Sequence, residues 1–457
     1  MSDARTALVV LTRDLRLRDH PALVSATRTA ERVVPLFVFD DAALGGLHRS
    51  PNRVQFLLQS LADLRGSLQV IGADLVLRSG DWATTVTEVV EQVGATSVHI
   101  SDDVSAFARR RFDAVTSTLA PLGVEVHLHP GVTVLPPGAT TPSSGSDWWK
   151  VFTPYFRSWS AAPWRTLHRA PRELRLPDGI DAGVLPALGD LVSGDPSPEV
   201  VAGGETEGLA RLREWAARDL ATYDEHHDDL AGDRTSRISA HLHLGCLSPL
   251  EVATRLRDRP GGAAFVRQLC WRDFYHQVLA ARPETTLEDV RVRGDRWRVD
   301  DEDAAAWRDG RTGYPIVDAA MAQLRAEGFM HNRARMIVAS FLTKDLYLDW
   351  RLGAAHFMEL LVDGDLANNQ LNWQWTAGTG TDTNPNRIFN PTVQSKRFDP
   401  EGTYLRRYLP VLATLTAPEV HDPDPATRRR LGYPAPIVDH HEAIEAYRAA
   451  LADARHR

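Results

Sequence analysis

The chain opens with short apolar runs at 7–11, 33–39, 75–77, 97–100 and 124–128, separated by helical patterns near 53–65, 82–93 and 105–119. Near-continuous apolar strands alternating with helices predict a parallel sheet covered on both faces, of Rossmann-like form. Such sheets bind ligands at the carboxyl ends of their strands, which places Thr12, Arg13 and Asp14 at that edge. No glycine-rich phosphate fingerprint follows the first strand, so a dinucleotide site of that kind is not expected. Between 131 and 205 the pattern breaks. Pro136-Pro137-Gly138, Ser143-Ser144-Gly145 and Ser193-Gly194-Asp195-Pro196 mark a connector, with an aromatic stretch from Trp148 to Trp164 that should pack on a domain. From 206 onward helical patterns dominate. Ser248-Pro249-Leu250-Glu251 predicts a helix start, with serine as cap, proline in the first turn and glutamate reaching back to the cap N–H. The fold expected is an N-terminal α/β domain (1–130), a connector (131–205) and a larger all-α domain (206–457).

Composition narrows this. At 457 residues the chain exceeds what one core usually serves. No apolar run is long enough for a membrane span. The opening MSDARTALVV lacks the features of an export signal, which leads us to expect a cytoplasmic protein. Cys246 and Cys270 fall in helix-like segments and read as reduced core thiols. The net charge of −8 argues against nucleic acid as a partner, although a local basic patch can steer DNA on an acidic protein. Eleven of the twelve tryptophans lie after residue 140; they read as core fillers or as redox and stacking groups, and composition does not choose between these.

Several constellations carry candidate chemistry. Gln268, Trp271 and Arg272 share a helix face, either to recognise a flat polar ligand near a phosphate or simply as a part-buried indole beside a surface cation. Phe329, Asn332 and Met336 share another face, with Arg335 about 100° away from Met336. Asp363-Gly364-Asp365 followed by Asn368-Asn369 is costly to bury without partners. Metal is discounted because no His/Cys set accompanies the carboxylates. On a helix Trp373 and Trp375 point about 200° apart and would serve different neighbours. Thr235, Ser236, Arg237, Ile238 and Ser239 concentrate hydroxyls and a cation, suited to a phosphate or to an ordinary cap. The paired histidines 226/227 and 241/243 form no metal pattern.

Together these segments resemble the photolyase/cryptochrome family, class I branch. The resemblance rests on residues 235–239, Trp271-Arg272-Asp273-Phe274-Tyr275, Gly313-Tyr314-Pro315-Ile316-Val317-Asp318, His331-Asn332-Arg333-Ala334-Arg335-Met336, 363–375, Arg387-Ile388-Phe389-Asn390-Pro391, and Arg13-Asp14-Leu15-Arg16-Leu17. It covers nearly the whole chain except the connector. It implies FAD folded inside the helical domain. Tyr223, Thr235, Ser236, Arg237, Ile238 and Ser239 look like its phosphate-side contacts, and Asp363 and Asp365 like contacts to the ribose and flavin. Arg335 looks like the flavin neighbour paired with Asp363, and Asn369 like the group beside flavin N5. Trp373, Trp350 and Trp297 match an electron-transfer chain from flavin to surface. Gln268, Trp271, Arg272, Asn332, Arg333, Met336, Trp375 and Arg387 match lesion or DNA positions, with Lys396, Arg397, Arg406 and Arg407 as a basic edge. Phe39, Asp40, Arg53 and Asp103 resemble an antenna site for 8-hydroxy-5-deazaflavin more than for a methenyl folate.

The implied activity is blue-light repair of cyclobutane pyrimidine dimers in UV-damaged DNA by a monomeric enzyme that flips the dimer out of the stack. At Gln268 cyclobutane-type relatives commonly carry glutamate; an amide can still donate and accept toward a thymine edge but supplies no charge. Two rivals remain. A photoreceptor of the cryptochrome kind usually carries a long tail, which this sequence lacks after Pro434. Repair of the (6-4) photoproduct goes with histidines at the positions of Asn332 and Met336.

Overall fold

The computed structural model describes residues 4–45 and 49–455. Residues 1–3, on which the reading of the N-terminus drew, lie outside them. Among the described residues, five parallel strands form one sheet: β1 Thr6–Val10, β2 Arg32–Asp40, β3 Val76–Gly80, β4 Ala95–Ser101 and β5 Glu125–His129, in the order β3-β2-β1-β4-β5. Every strand starts within two residues of its expected position, and β3 runs three residues further than expected. The central strand β1 is buried along its whole length, whereas the edge strand β5 is half-open. This is why β1 reads as an unbroken apolar run and β5 does not. Helices Pro21–Thr29, Pro51–Val70, Trp82–Val93 and Ala106–Leu119 supply the crossovers.

Packing divides the chain into two compact units. The first holds 1–196, 201–222 and 236–283; the second holds 197–200, 223–235 and 284–457. This grouping cuts across the boundaries at 130 and 205 expected from composition. In the first unit the aromatic part of the connector packs as expected. Helix Phe152–Ala161 buries Phe152, Tyr155 and Trp159, and Phe152 stacks on Trp271 with ring centroids 3.6 Å apart. Trp159 donates its indole N–H to Asp273 at 2.9 Å, and the same carboxylate accepts from the Val134 and Leu135 amides. Two local expectations need correction. Ser248 does cap helix Pro249–Leu256, accepting from the Glu251 amide at 3.1 Å. The Glu251 carboxylate, however, turns to Arg18 (2.6 Å) and Arg255 (2.7 Å), since two charged partners hold it better than one amide. Cys246 lies in a bend rather than a helix; it and Cys270 are buried free thiols.

The second unit is all-helical. Its core gathers Trp307, Met321, Leu324, Met330, Phe341, Leu342, Trp350, Phe357 and Trp373. No helix of the described residues is long and apolar enough to cross a membrane.

Candidate functional site

In the second unit the Asp363-Gly364-Asp365 turn feeds helix Leu366–Ala377. Asp365 caps that helix, accepting from the Asn368 amide at 2.9 Å and from its side chain at 2.7 Å. Asp363 pairs with Arg335 at 2.9 Å, and Arg335 is fixed from behind by the Met330 carbonyl at 2.8 Å. The pair meets the requirement that a buried carboxylate have a partner. One turn into the helix, Asn369 donates Nδ2 to the Ala354 carbonyl (3.0 Å) and to Gln370 Oε1 (2.9 Å). With both amide hydrogens used, its oxygen is the atom left to accept, which suits a protonated ring nitrogen. In the same unit Tyr223 is buried, and burial raises its phenol so that it stays a neutral donor. The Thr235 hydroxyl is buried without a hydrogen-bond partner among the described residues. Each leaves an atom for a ligand: a buried orphan hydroxyl suits a phosphate oxygen, and a free amide acceptor suits a ring N–H.

The three expected wire tryptophans share this unit. Trp373 (3% exposed) sits edge-on to Phe357 at 5.0 Å and to Trp307 at 5.9 Å. Trp350 is fully buried at the start of helix Trp350–Leu360, its indole N–H donating to Asp289 at 2.9 Å. Trp297 is half-buried, packs against the same core and lies 5.1 Å from the Tyr347 ring. Trp375, two residues beyond Trp373, faces elsewhere, as the helical angle requires. It is half-buried, with the exposed Arg387 guanidinium 5.1 Å over its ring. Asn332 is exposed and Met336 half-buried, 4.0 Å apart.

Several cations expected at DNA are committed within the fold. Arg333 spans both oxygens of Asp228, one at 3.2 Å, and lies 4.3 Å over Phe398. Arg406 donates to the Leu415 and Glu401 carbonyls, whereas Arg407, 3.7 Å from Glu327, stays exposed. Lys396 and Arg397 stay exposed.

In the first unit, Gln268 is exposed and Trp271 half-buried against Phe152 on helix Gly262–Ala281. Arg272 does not join them at the surface. It is 9% exposed and donates to the Val132 (2.6 Å) and Leu242 (3.3 Å) carbonyls, so it works as a strut and not as a phosphate contact. Ser236, Arg237 and Ser239 are half-buried, Ile238 is buried, and Arg237 takes a positive φ of 49°. Of the expected antenna residues, Phe39 is core, Asp40 pairs with Arg111 at 3.2 Å, Asp103 pairs with Arg13 at 3.0 Å, and Arg53 is half-buried. Arg111, held over Trp82 at 4.2 Å, was not anticipated; its spacing on helix Ala106–Leu119 carries no mark of the distant carboxylate it pairs with.

Comparison with known proteins gives concordant matches. The family model for the FAD binding domain of DNA photolyase matches residues 265–453, and that for DNA photolyase matches 7–174. A deoxyribodipyrimidine photo-lyase of Streptomyces griseus is 51% identical over 96% of this chain and 97% of its own. The structure of a bacterial class III photolyase from Agrobacterium tumefaciens superposes with a TM-score of 0.93 at 32% identity, covering 100% of this chain and 99% of that one. A cryptochrome from Synechocystis sp. PCC6803 gives 0.89 at 31%, covering 98% and 100%.

Proposed function

The chain belongs to the DNA photolyase/cryptochrome family, and from that premise we propose that it is a deoxyribodipyrimidine photo-lyase of class I, which repairs cyclobutane pyrimidine dimers in UV-damaged DNA under blue light. The observation that carries this reading is the arrangement on one helix, Leu366–Ala377. It presents Asn369 at its start, the buried Trp373 in its middle and the half-open Trp375 under Arg387 at its end. A flavin-side amide, a redox-active indole and a stacking platform thus hang from one rigid element, which is how precise sites are built.

FAD, when bound and reduced, supplies on excitation the electron that opens the cyclobutane ring. The chain's own residues bind, orient and shield. Arg335 neutralises Asp363 and leaves Asp365 to order the turn. The Asn369 oxygen would accept a hydrogen bond from a ring N–H without adding negative charge, which favours the reduced cofactor. Trp375 stacks on a base taken out of the duplex, and Arg387 meets phosphate. Asn332 and Met336 line the same role in the resemblance, as do Gln268 and Trp271 in the first unit. Arg272 and Arg333 are left out of the phosphate contacts because their guanidiniums are already spent. Trp373, Trp350 and Trp297 carry electrons inward to restore an oxidised flavin. Tyr223 and residues 235–239 hold the phosphates. An antenna, 8-hydroxy-5-deazaflavin rather than a methenyl folate, is assigned to Phe39, Asp40, Arg53 and Asp103 by resemblance. By resemblance, and as a division of role and not of packing, 1–130 are assigned to the antenna, 131–205 to the connector and 206–457 to FAD and DNA, in a cytoplasmic monomer.

The test is dark competition binding between a duplex with one thymine dimer and its intact counterpart. Trp375→Ala should lose discrimination worth ~1–3 kcal/mol, the value of stacking on one base. Equal losses for damaged and intact DNA would remove Trp375 from the pocket.

A further inference from the structure

Lys344 is only 2% exposed. Lysine is almost never buried that far unless paired. Among the described residues no carboxylate comes within ion-pair distance of it, and Nζ donates instead to the main-chain carbonyl of Arg387. Its platform is a π-helical turn, Phe341–Asp345, closed by the Leu346 amide on the Phe341 carbonyl at 3.0 Å. Such one-turn insertions are frequent at functional sites. A methionine would fill the same volume without desolvating a charge, so stability alone does not account for a buried ammonium here. Its target lies in the loop 384–390. The loop is anchored at its end by Asn390, which caps the helix Pro391–Phe398; before that, among the described residues, it is held by Arg387 N–H to the Asn384 carbonyl at 3.2 Å and Asn384 N–H to Asp382 at 2.9 Å. The other face of this loop presents the exposed Arg387 guanidinium to Trp375.

We propose that Lys344 is a positioning residue for DNA binding, clamping the Arg387 main chain from the core so that the guanidinium stays over Trp375. The proposal rests on the reading of Trp375 and Arg387 as DNA-side groups. The charged groups facing Lys344 are Arg293 and Arg387, which oppose its protonation, and Asp382 and Asp345, which favour it; Asp345 is itself held by His440. Burial outweighs the carboxylates and brings Lys344 down to about 7. A charged donor holds a carbonyl more tightly than a neutral one. The clamp therefore weakens as pH rises through neutrality.

The experiment is dark binding of FAD-loaded protein to a dimer-containing duplex, followed by fluorescence anisotropy. Lys344→Met should lower affinity about tenfold, the worth of one charge-assisted hydrogen bond, with flavin content retained. In an Arg387→Ala background the same change should add nothing. Parental affinity in Lys344→Met, or a full additional loss in the Arg387→Ala background, overturns the proposal. If Lys344→Met does not fold, the unmutated protein still decides. Its affinity should fall as pH rises through about 7, and this dependence should vanish in Arg387→Ala. A dependence that persists in Arg387→Ala overturns the clamp. An Arg387→Ala protein that binds DNA like its parent instead removes the reading on which the clamp rests.

Discussion

Gly353 gives the sharpest test of how Trp373 is held. It lies buried in helix Trp350–Leu360, and a methyl group added there would sit 2.1 Å from Cη2 and 2.5 Å from Cζ3 of Trp373, and 2.7 Å from Leu342 Cδ2. Carbon atoms rest at about 3.5–4.0 Å, so the indole must retreat by roughly 1.5 Å. Phe357 and Trp307 already occupy its flanks, and the ring is too rigid to bend away. Overpacking of this kind costs ~1–3 kcal/mol, and the severity of the overlap puts Gly353→Ala in the upper part of that range. Replacing a mid-helix glycine by alanine returns about 0.8–1.0 kcal/mol. The net expectation is a destabilisation of ~1–2 kcal/mol, with the displaced indole slowing flavin photoreduction. Thermal unfolding of the FAD-loaded protein and the rate of light-driven flavin reduction are the two readouts. A variant as stable as its parent, with the helix gain unopposed and photoreduction unchanged, would refute the packing described for Trp373.

Three further outcomes are expected. Trp373→Phe should block photoreduction of oxidised FAD while leaving repair by chemically pre-reduced protein largely intact; parental photoreduction would mean that electrons enter by another route. Asp363→Asn leaves Arg335 without its counter-charge, a loss of ~3–5 kcal/mol for a fully buried pair and nearer the lower end here because Arg335 is partly open. Flavin absorbance after gel filtration should drop sharply, and full retention would remove the pair from the FAD site. Arg272→Met should lower the unfolding temperature without changing the salt slope of DNA binding, since its guanidinium serves two carbonyls. A reduced slope would restore Arg272 to the phosphate contacts.

Much of the fold was legible because its signals are local. The five strands announce themselves through apolar runs, and Ser248-Pro249 marks a helix start through capping that any observer of sequence can read. The opposite orientations of Trp373 and Trp375 follow from helix geometry alone. What the sequence leaves unread depends on partners far along the chain. Arg333 reads as a free cation until Asp228, more than a hundred residues earlier, takes it. Arg272 shares a helix face with Gln268 and Trp271, but Val132 and Leu242 bring carbonyls to it from other segments. Glu251 has the spacing of a capping partner and is drawn away by Arg18. The burial of Lys344 and the tightness around Gly353 leave no trace in periodicity, because each is set by a distant loop or ring. Among the long-range contacts, the aromatic stretch from Trp148 to Trp164 is the exception, because its composition alone signals that it packs.

Single-turnover flash illumination tests light-driven dimer repair most directly. Protein loaded with fully reduced FAD is mixed with a duplex carrying one defined thymine dimer and exposed to blue light. The expected result is restoration of two intact thymines in light and none in darkness. A reduced, dimer-bound protein that leaves the cyclobutane ring closed under blue light would contradict the assignment and favour a photoreceptor role for the same fold.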